Sequence, residues 1–228
     1  MVSVDAAVQR TNMVDSQIRP SDVTDRRIIG AMLEIPREQF VPASWRSLAY
    51  IDDEVPLTTP VMGGAQRQVR TLMPPRDFAR LVQLAEISPG DVVLDVGCGT
   101  GYSAAVLGRL AETVVALETD PELAEIAGKL LSETSYDNVA TVTGDLAAGY
   151  PDEGPYDAIV IEGLVEEVPF SLLDQLKDGG RLVAICKAGP LSRAVLWRRL
   201  GATFDERDAF EATAAPLPGF SKPKEFTF

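Results

Sequence analysis

From residue 77 onward, short apolar runs alternate with amphipathic stretches, and this alternation predicts strands separated by helices. Residues 77–87 have the apolar spacing of a helix, and Pro121 stands where a further helix is expected to begin. Near-continuous apolar strands between helices are typical of a parallel sheet covered on both faces. The predicted strands are residues 92–96, 113–118, 139–143, 157–161 and 181–186. Residues 172–177 are predicted to end a helix, and the tail from residue 194 is predicted to hold two antiparallel edge strands.

The first 50 residues have helical spacing instead, with prolines marking where the helices end. Ser3 is predicted to cap a first helix, and Asp22 or Thr24 to cap a second helix that ends at Pro36. Residues 51–75 are rich in proline and glycine, which predicts a long irregular loop. The predicted domains are residues 1–75, a helical region with a substrate-side loop, and residues 76–228, a cofactor-binding domain.

A glycine-rich turn follows the first predicted strand and leads into a helix. Residues 92–102 read Val-Val-Leu-Asp-Val-Gly-Cys-Gly-Thr-Gly-Tyr, so Gly97, Gly99 and Gly101 recur at every second position. Glycine lets the backbone turn sharply and approach a ligand closely. The next strand ends in Glu118, and an acid about 20 residues beyond such a loop can accept hydrogen bonds from ribose hydroxyls. The pattern therefore predicts an adenosine-containing cofactor.

The spacing of the loop distinguishes between cofactors. A dinucleotide fingerprint reads Gly-x-Gly-x-x-Gly, but the sixth position here is Tyr102, and the Gly-Lys-Ser/Thr of a P-loop is absent. Asp95, just before the first glycine, suits the amine and sulfonium of S-adenosylmethionine better than a pyrophosphate. A tight strand-to-helix turn without a ligand is the alternative interpretation.

Composition narrows the chemistry further. The chain of 228 residues has 34 acids, 21 bases and a net charge of −13, so the backbone of a nucleic acid would be repelled. It contains no histidine, which removes the usual general base at neutral pH and histidine-based metal sites, and no metal is expected. No apolar run is long enough to span a membrane. Two cysteines and no apparent secretory signal favour the cytoplasm.

Acidic residues recur where the predicted strands end. Ligands of open α/β sheets bind outside the carboxyl ends of the strands. Asp95, Glu118, Asp145 and Glu162 all fall at those ends, so we expect them to lie along one edge of the sheet. Glu118 is predicted to hold the ribose and Asp145 to lie on the adenine side, with a surface acid and a turn residue as the respective alternatives.

Several segments beyond the glycine loop resemble one enzyme family. Ile35-Pro36-Arg37-Glu38-Gln39-Phe40-Val41-Pro42 is similar to the Val-Pro-Arg-x-x-Phe-Val-Pro element of the protein-L-isoaspartate O-methyltransferases. The other similar segments are residues 13–19, 48–50, 136–139, 144–145, 155–160, 167–169, 175–177 and 179–183. The resemblance covers about residues 13–189, and the chain is identified as a member of the class I S-adenosylmethionine-dependent methyltransferases.

This resemblance implies an α/β, Rossmann-like fold with a mostly parallel seven-stranded sheet, helices on both faces and an N-terminal helical elaboration. It implies S-adenosyl-L-methionine as cofactor and an isoaspartyl-type carboxylate of a protein or peptide as methyl acceptor. The residues expected to bind the cofactor are Asp95, Gly97, Cys98, Gly99, Gly101, Tyr102, Glu118, Thr119, Asp145 and Leu146.

The acceptor side departs from the family pattern. There the family reads Thr-Ile-Ser-Gln-Pro after a Gly-His-Gly segment, whereas residues 71–75 read Thr-Leu-Met-Pro-Pro with no histidine before them. Thr71 is kept, but Met73 replaces the serine, and Glu162 replaces the family's threonine at the end of the fourth strand. Thr71, Met73 and Glu162 are expected to face the substrate.

Transfer of a methyl group to a carboxylate needs no general base, because a carboxyl group with a pKa near 4 is ionised at neutral pH. A chain without histidine is therefore suited to O-methylation. Thr71 is predicted to hydrogen-bond the acceptor carboxylate, and Arg67 or Arg70 to orient it. A solvated face is the alternative for these arginines and for Arg76.

Three functions fit the sequence. The first is a carboxyl methyltransferase that acts on a protein or peptide. The second is an enzyme of the same fold that acts on a small molecule, such as a small acid, with Glu162 as base or ligand. The third is a cofactor-binding protein without catalysis. The changed Ser-Gln-Pro motif favours the second and third, and the intact cofactor motifs favour the first two. We expect the first.

Overall fold

The computed structural model describes residues 4–58, 68–134 and 136–221. Its strands are β1 Val55–Pro56, β2 Thr71–Leu72, β3 Val92–Val96, β4 Thr113–Glu118, β5 Val139–Thr143, β6 Tyr156–Val165, β7 Leu176–Ala188, β8 Leu191–Leu200 and β9 Thr203–Glu211. Seven of them form one sheet in the order β5-β4-β3-β6-β7-β8-β9. Strands β3 to β7 run parallel, and β8 and β9 are antiparallel. The predicted mostly parallel seven-stranded sheet is confirmed.

The α-helices among these residues are α1 Val4–Met13, α2 Arg26–Glu34, α3 Pro75–Leu84, α4 Tyr102–Gly108, α5 Pro121–Glu133 and α6 Phe170–Leu173. The predicted cap Ser3 lies outside the described residues. The N-cap of α2 is Asp25, whose side chain accepts from the Arg27 N–H at 2.8 Å, so the expectation of Asp22 or Thr24 was wrong. Asp25 is the cap because it directly precedes Arg26, the first residue of the helix.

The helix before the fifth strand ends earlier than predicted. Residues 172–177 were expected to finish a helix, but α6 ends at Leu173 and β7 begins at Leu176. Gly179, with φ of 79°, and Gly180 lie inside β7, where the pairing with β6 shifts register. A Cβ at Gly180 would lie 2.8 Å from a backbone oxygen. The two glycines therefore permit a bulge, and the strand continues where the sequence pattern indicated a break.

Alternation along the strands determines which residues share a face of the sheet. The face that contains Val93, Val114 and Ala158 packs with the N-terminal helices in one hydrophobic core. Because side chains alternate, Asp95 and Glu118 lie on this same face, two and four residues further along their strands. The opposite face packs mainly against α6 and the C-terminal segment. The N-terminal region thus shares one core with the sheet it covers, and the division at residue 75 stays a prediction.

No helix among residues 4–58, 68–134 and 136–221 combines the length and the apolar character that a membrane span requires.

Candidate functional site

The turn after β3 is held by three glycines in the left-handed region of backbone space. Gly97, Gly99 and Gly101 have φ values of 86°, 57° and 94°, which residues with a Cβ rarely adopt. The Gly97 N–H donates to the Leu117 carbonyl oxygen at 2.8 Å, which ties the turn to the end of β4. The predicted glycine loop therefore lies where β3 and β4 end, in a conformation that glycine favours.

Asp95 is fully buried beside this loop, at the penultimate position of β3. Its Oδ2 accepts from the Ser103 hydroxyl at 2.7 Å, whereas its Oδ1 is buried and has no hydrogen-bond partner among the residues that the structure describes. Burial raises the pKa of Asp95 to about 7; the Ser103 hydrogen bond and Arg70 oppose that rise, and the charge of Glu118 adds to it. An unpaired carboxylate oxygen at this depth is suited to a cationic or hydrogen-donating ligand.

Glu118 closes β4 and is also fully buried. Its Oε2 accepts from the Gly99 N–H at 2.8 Å, and its Oε1 accepts from the N–H groups of Thr119 and Asp120 at 2.9 and 3.0 Å. Three backbone donors thus fix the carboxylate where the sequence predicted a ribose ligand. Arg70 also contacts Glu118, through an ion pair between Nη1 and Oε1.

Arg70 reaches this acid from the segment before β2. Its Nη2 donates to the Gly97 carbonyl at 3.1 Å, so the guanidinium lies across the glycine loop. Its backbone is held by Leu57, whose N–H donates to the Arg70 carbonyl at 2.7 Å, and by the Thr58 hydroxyl, which accepts from the Arg70 N–H at 3.0 Å. Orientation of a substrate carboxylate by Arg70 stays a prediction, and the structure places its side chain against Glu118 and the Gly97 carbonyl.

Glu162 brings a third acid to the same edge. Its neighbour Ile161 pairs with Val96 in adjacent strands, so Glu162 lies beside the start of the glycine loop. The side chain is buried, and within the described part of the chain its Oε1 has no hydrogen-bond partner. Burial raises the pKa of Glu162 well above its usual range, the charge of Asp95 adds to the rise, and Arg37 opposes it. The three acids Asp95, Glu118 and Glu162 therefore lie near one another, but Glu162 is inside β6, which continues to Val165, so the predicted strand end at residue 161 was wrong.

Arg37 is a buried cation beside Met73, one of the predicted acceptor residues, and the sequence analysis did not assign Arg37 to the site. Its Nε donates to the Ala49 carbonyl and its Nη2 to the Met73 carbonyl, each at 2.7 Å. The guanidinium carbon lies 4.7 Å from the centre of the Tyr102 ring. Burial lowers the pKa of Arg37, an effect that the neighbouring Tyr102 opposes. The sequence signal for Arg37 was the Pro-Arg pair in the family element at residues 35–42. That pair does not reveal the contacts of Arg37 with Ala49 and Met73, which lie 12 and 36 residues away.

Two further predicted loop residues face the core. Tyr102 is buried at the start of α4, where its ring packs against Phe40 and Phe78 at centroid distances of 5.7 and 5.8 Å. Cys98 is buried, and burial above all raises the pKa of its thiol well above the usual value. A thiol in that state is unreactive, in keeping with a small residue that fills space. Cofactor contacts of Tyr102 and Cys98 stay predictions.

The predicted adenine side lies further along the edge. Asp145 is exposed, and its Oδ1 accepts from the Ala147 N–H at 2.9 Å, while Leu146 is buried in the core beneath it. A cleft of about 360 Å³ opens nearby, a volume within the usual range of ligand pockets. It is lined by Gln68, Arg70, Thr119, Asp120, Pro121 and Pro218. Thr119 is therefore in the cleft, and adenine contacts by Asp145 and Leu146 stay predictions.

The C-terminal segment covers the glycine loop, a role that the sequence analysis missed. A Cβ at Gly97 would lie 3.1 Å from Leu217, and one at Gly163 only 2.5 Å from the same side chain. The Gln68 side chain donates to the Pro216 carbonyl, joining this segment to the one that carries Arg70. Leu57 lies on the loop from the other side, 2.6 Å from a Cβ built at Gly99. These apolar contacts restrict access of water to the loop.

The remaining predicted acceptor residues are only partly grouped with the acids. Thr71 is half-buried in β2, where its side chain hydrogen-bonds Glu54. Met73 is buried, and its carbonyl accepts from Arg37. Arg67 lies outside the described residues. Within the part of the chain that the structure describes, no cluster of His, Cys, Asp and Glu is arranged to hold a metal ion.

Comparison with known proteins shows the family to which this chain is similar. The model of the family "Protein-L-isoaspartate(D-aspartate) O-methyltransferase (PCMT)" matches residues 8–201. A protein-L-isoaspartate O-methyltransferase from Koribacter versatilis is 35% identical over 213 residues, which are 93% of this chain and 92% of that protein. One from Methanoculleus marisnigri is 40% identical over 176 residues, 77% of this chain and 76% of that protein.

Solved structures agree with these relatives. A protein-L-isoaspartate O-methyltransferase superposes with a TM-score of 0.79 at 29% identity, covering 92% of this chain and 66% of that one, just under two thirds of its length. A Plasmodium falciparum structure described as a beta-aspartate methyltransferase in complex with S-adenosyl-L-homocysteine superposes with a TM-score of 0.71 at 18% identity. It covers 93% of this chain and 97% of that one, and it supports the fold.

Proposed function

Because the chain belongs to the protein-L-isoaspartate(D-aspartate) O-methyltransferase family, we propose that it transfers a methyl group from S-adenosyl-L-methionine to the carboxylate of an isoaspartyl residue in a protein or peptide. By family membership it is an S-adenosylmethionine-dependent methyltransferase of Rossmann-like fold. The observation that carries the proposal is the family match over residues 8–201, which includes the buried acids Asp95, Glu118 and Glu162.

The residues at this edge of the sheet fit the cofactor. The unpaired Asp95 Oδ1 can accept from its amine, and Glu118 is positioned by backbone donors to accept from its ribose. The left-handed glycines allow the backbone to approach it closely. We assign Thr119, Asp145 and Leu146 to the adenine side. When bound, the cofactor supplies an electrophilic methyl group on a sulfur cation.

On the acceptor side, the protein aligns an anion that is already ionised at neutral pH. Its contribution is to position this carboxylate in line with the methyl group and to exclude water, which the cover formed by Leu57 and Leu217 favours. Glu162 in its neutral form donates its O–H to the acceptor carboxylate, whereas an ionised Glu162 would repel it. We also place Thr71 and Met73 around the acceptor, because they stand at the positions of the family motif that are expected to face the substrate.

A small-molecule acceptor is the second candidate, and one specific observation favours it. Glu162 is a buried acid at the position where the family carries threonine, and an acid can act as a base toward a protonated acceptor such as an amine or a phenol. That acceptor would need a proton removed before transfer, which the isoaspartyl carboxylate does not.

We further propose that the methylation serves repair of isoaspartyl residues in the cytoplasm. Both cysteines of the chain, Cys98 and Cys186, are free. Free thiols persist in the reducing conditions of that compartment. The expected partners are therefore damaged proteins or peptides rather than nucleic acid, in keeping with a net charge of −13.

A methyl-transfer assay with radiolabelled cofactor tests the proposal. An isoaspartyl peptide, the matched aspartyl peptide and a panel of small acids, amines and phenols are compared at neutral pH. The expected result is base-labile label on the isoaspartyl peptide alone, because a methyl ester hydrolyses in base. Base-stable label on a small amine or phenol would support the second candidate. Cofactor binding without label on any acceptor would contradict both.

A further inference from the structure

Both oxygens of the Glu118 carboxylate accept hydrogen bonds within the protein itself, and Oε1 is the more crowded of the two. A carboxylate offers about four acceptor sites. The Oε1 of Glu118 accepts from the N–H groups of Thr119 and Asp120 and from the Arg70 guanidinium, whereas its Oε2 accepts from the Gly99 N–H. The backbone donors belong to the loop and strand end that define the site, so they stay in place. Of the three donors on Oε1, Arg70 is the one whose place a ligand can take.

The position of Arg70 makes this contact strong. The Arg70 and Glu118 side chains are 5% and 0% exposed, so solvent screens their attraction little. A second hydrogen bond from Arg70 Nη2 to the Gly97 carbonyl, 3.1 Å long, spreads the guanidinium over the loop where a nucleoside must pass. The guanidinium therefore blocks both the acid and the backbone surface that would receive a ribose.

The backbone of Arg70 is fixed independently of its side chain. The bonds from Leu57 N–H and to the Thr58 hydroxyl hold the main chain of Arg70, and β2 begins at the next residue. Arg70 also lines the 360 Å³ cleft beside Thr119 and Asp120, which is open to solvent. Rotation of the side chain toward that cleft would therefore free Glu118 without unfolding the strand.

We propose that Arg70 is an internal competitor of the cofactor, which occupies the ribose subsite of Glu118 and must rotate away before the nucleoside of S-adenosylmethionine can bind. The exchange replaces the ion pair between Arg70 and Glu118 by hydrogen bonds from ribose hydroxyls to Glu118. The positive charge of the Arg70 guanidinium leaves the site as the cofactor brings its own sulfur cation close to Asp95. Arg70 thus reduces the affinity of the free protein for its cofactor.

The proposal rests on the cofactor part of the proposed function and is independent of the acceptor. Two other roles for Arg70 predict the opposite result. If Arg70 were a ligand of the bound cofactor, or if it were needed to position Glu118, its removal would weaken binding. If Arg70 competes with the cofactor, replacing Arg70 strengthens cofactor binding for two reasons. The blocking guanidinium is absent, and the buried Glu118 carboxylate, which has lost its ion pair, gains a new partner only when the cofactor binds.

Calorimetric titration with S-adenosyl-L-homocysteine, which is not turned over, tests the proposal. We expect Arg70→Met to bind roughly tenfold more tightly than the native protein, since a charge-assisted hydrogen bond no longer has to be broken. Arg70→Lys, which keeps the charge but not the planar fork, is expected to lie between the two. Arg109→Met is the matched control, because it removes a cation from an exposed ion pair with Glu34. Its affinity should equal that of the native protein.

Each other outcome has a defined meaning. Equal or weaker binding by a folded Arg70→Met protein, with native binding intact, overturns the competitor role and leaves the proposed function standing. Absence of binding by the native protein and by both Arg70 variants overturns the cofactor site itself. Should Arg70→Met unfold in the absence of ligand, Arg70→Lys decides: tighter binding than native supports competition, and weaker binding contradicts it.

Discussion

On the proposed cofactor side of the site, the acid Glu118 is held by backbone N–H groups, whereas on the proposed acceptor side Glu162 has a carboxylate oxygen with no hydrogen-bond partner among the described residues. The first arrangement depends on the path of the chain, which any sequence with the same turn reproduces. The second depends on which side chains other elements bring near, including Arg37 from the N-terminal region. The half of the site that is built from backbone groups can therefore stay constant, while the half that is built from side chains changes to bind a different acceptor.

The largest expected effect comes from breaking the acceptor side at Arg37. Arg37→Met leaves the buried carbonyls of Ala49 and Met73 without their donor, so we expect the free energy of unfolding to fall by about 3 kcal/mol. Urea unfolding measures the change. Arg46→Met, at an exposed arginine of the neighbouring 3-10 helix, is the control and should change stability by less than about 0.5 kcal/mol. Equal effects of the two variants would show that Arg37 does not hold this region together.

The next effect tests the cofactor side through Asp95. Asp95→Asn removes the charge that we propose to face the sulfur cation and amine, and we expect affinity for S-adenosyl-L-methionine to fall roughly thirtyfold at pH 8, about 2 kcal/mol. Because the pKa of Asp95 is raised to about 7, the native affinity should rise as pH increases through 7, and the variant should lose this dependence. Calorimetry from pH 6 to pH 8.5 measures both.

The raised pKa of Asp95 also predicts how the stability of the folded protein changes with pH. The folded protein holds the Asp95 proton more tightly than the unfolded chain, whose Asp pKa is near 3.8, so the native protein loses stability as pH rises from about 4 to about 7. Asp95→Asn should remove that loss. Asp174→Asn, at an exposed acid paired with Arg199, is the control for both measurements and should match the native protein. An Asp95→Asn protein whose affinity still rises with pH would exclude Asp95 as the titrating group.

These two sides also differ in how far the sequence predicts them. Glu118 follows from local rules, because strand alternation, the glycine turn and the following acid are all read within one stretch of chain. The partners of Arg70 and Arg37 do not, since Arg70 meets Glu118 across 48 residues and Arg37 meets Met73 across 36. No periodicity encodes such pairs. The bulge at Gly179 was missed for a related reason: the glycines that indicated a break allow backbones of two strands to approach.

Glu162 gives a smaller effect that separates the two acceptor classes. Glu162→Gln keeps a neutral hydrogen-bond donor, so we expect kcat/KM on an isoaspartyl peptide to fall only about fivefold at neutral pH, about 1 kcal/mol. The native enzyme should lose activity as pH rises through the raised pKa of Glu162, because the ionised form repels the acceptor carboxylate. The variant cannot ionise and should keep its activity there. A pH profile of kcat/KM measures the difference, with cofactor affinity unchanged.

The opposite profile would favour the small-molecule candidate. If native activity rose with pH and Glu162→Gln abolished it on an amine or phenol, Glu162 would be acting as a base. The cofactor side would then be common to both acceptors, and the side-chain-built half alone would have changed its chemistry.

The smallest expected effect is at Thr71, the acceptor residue shared with the family pattern. Thr71→Val keeps the shape of the side chain and removes one hydrogen bond, so we expect kcat on an isoaspartyl peptide to fall about threefold without any change in cofactor affinity. The pKa of Glu54 is raised by burial, and the Thr71 hydrogen bond opposes that rise, so the variant should raise it further. Glu54→Gln is the matched control. If Glu54→Gln reduces kcat as much as Thr71→Val does, Thr71 acts by holding Glu54. If only Thr71→Val reduces kcat, Thr71 contacts the acceptor itself. The acceptor side then retains one contact that is specified by a single residue rather than by the path of the backbone.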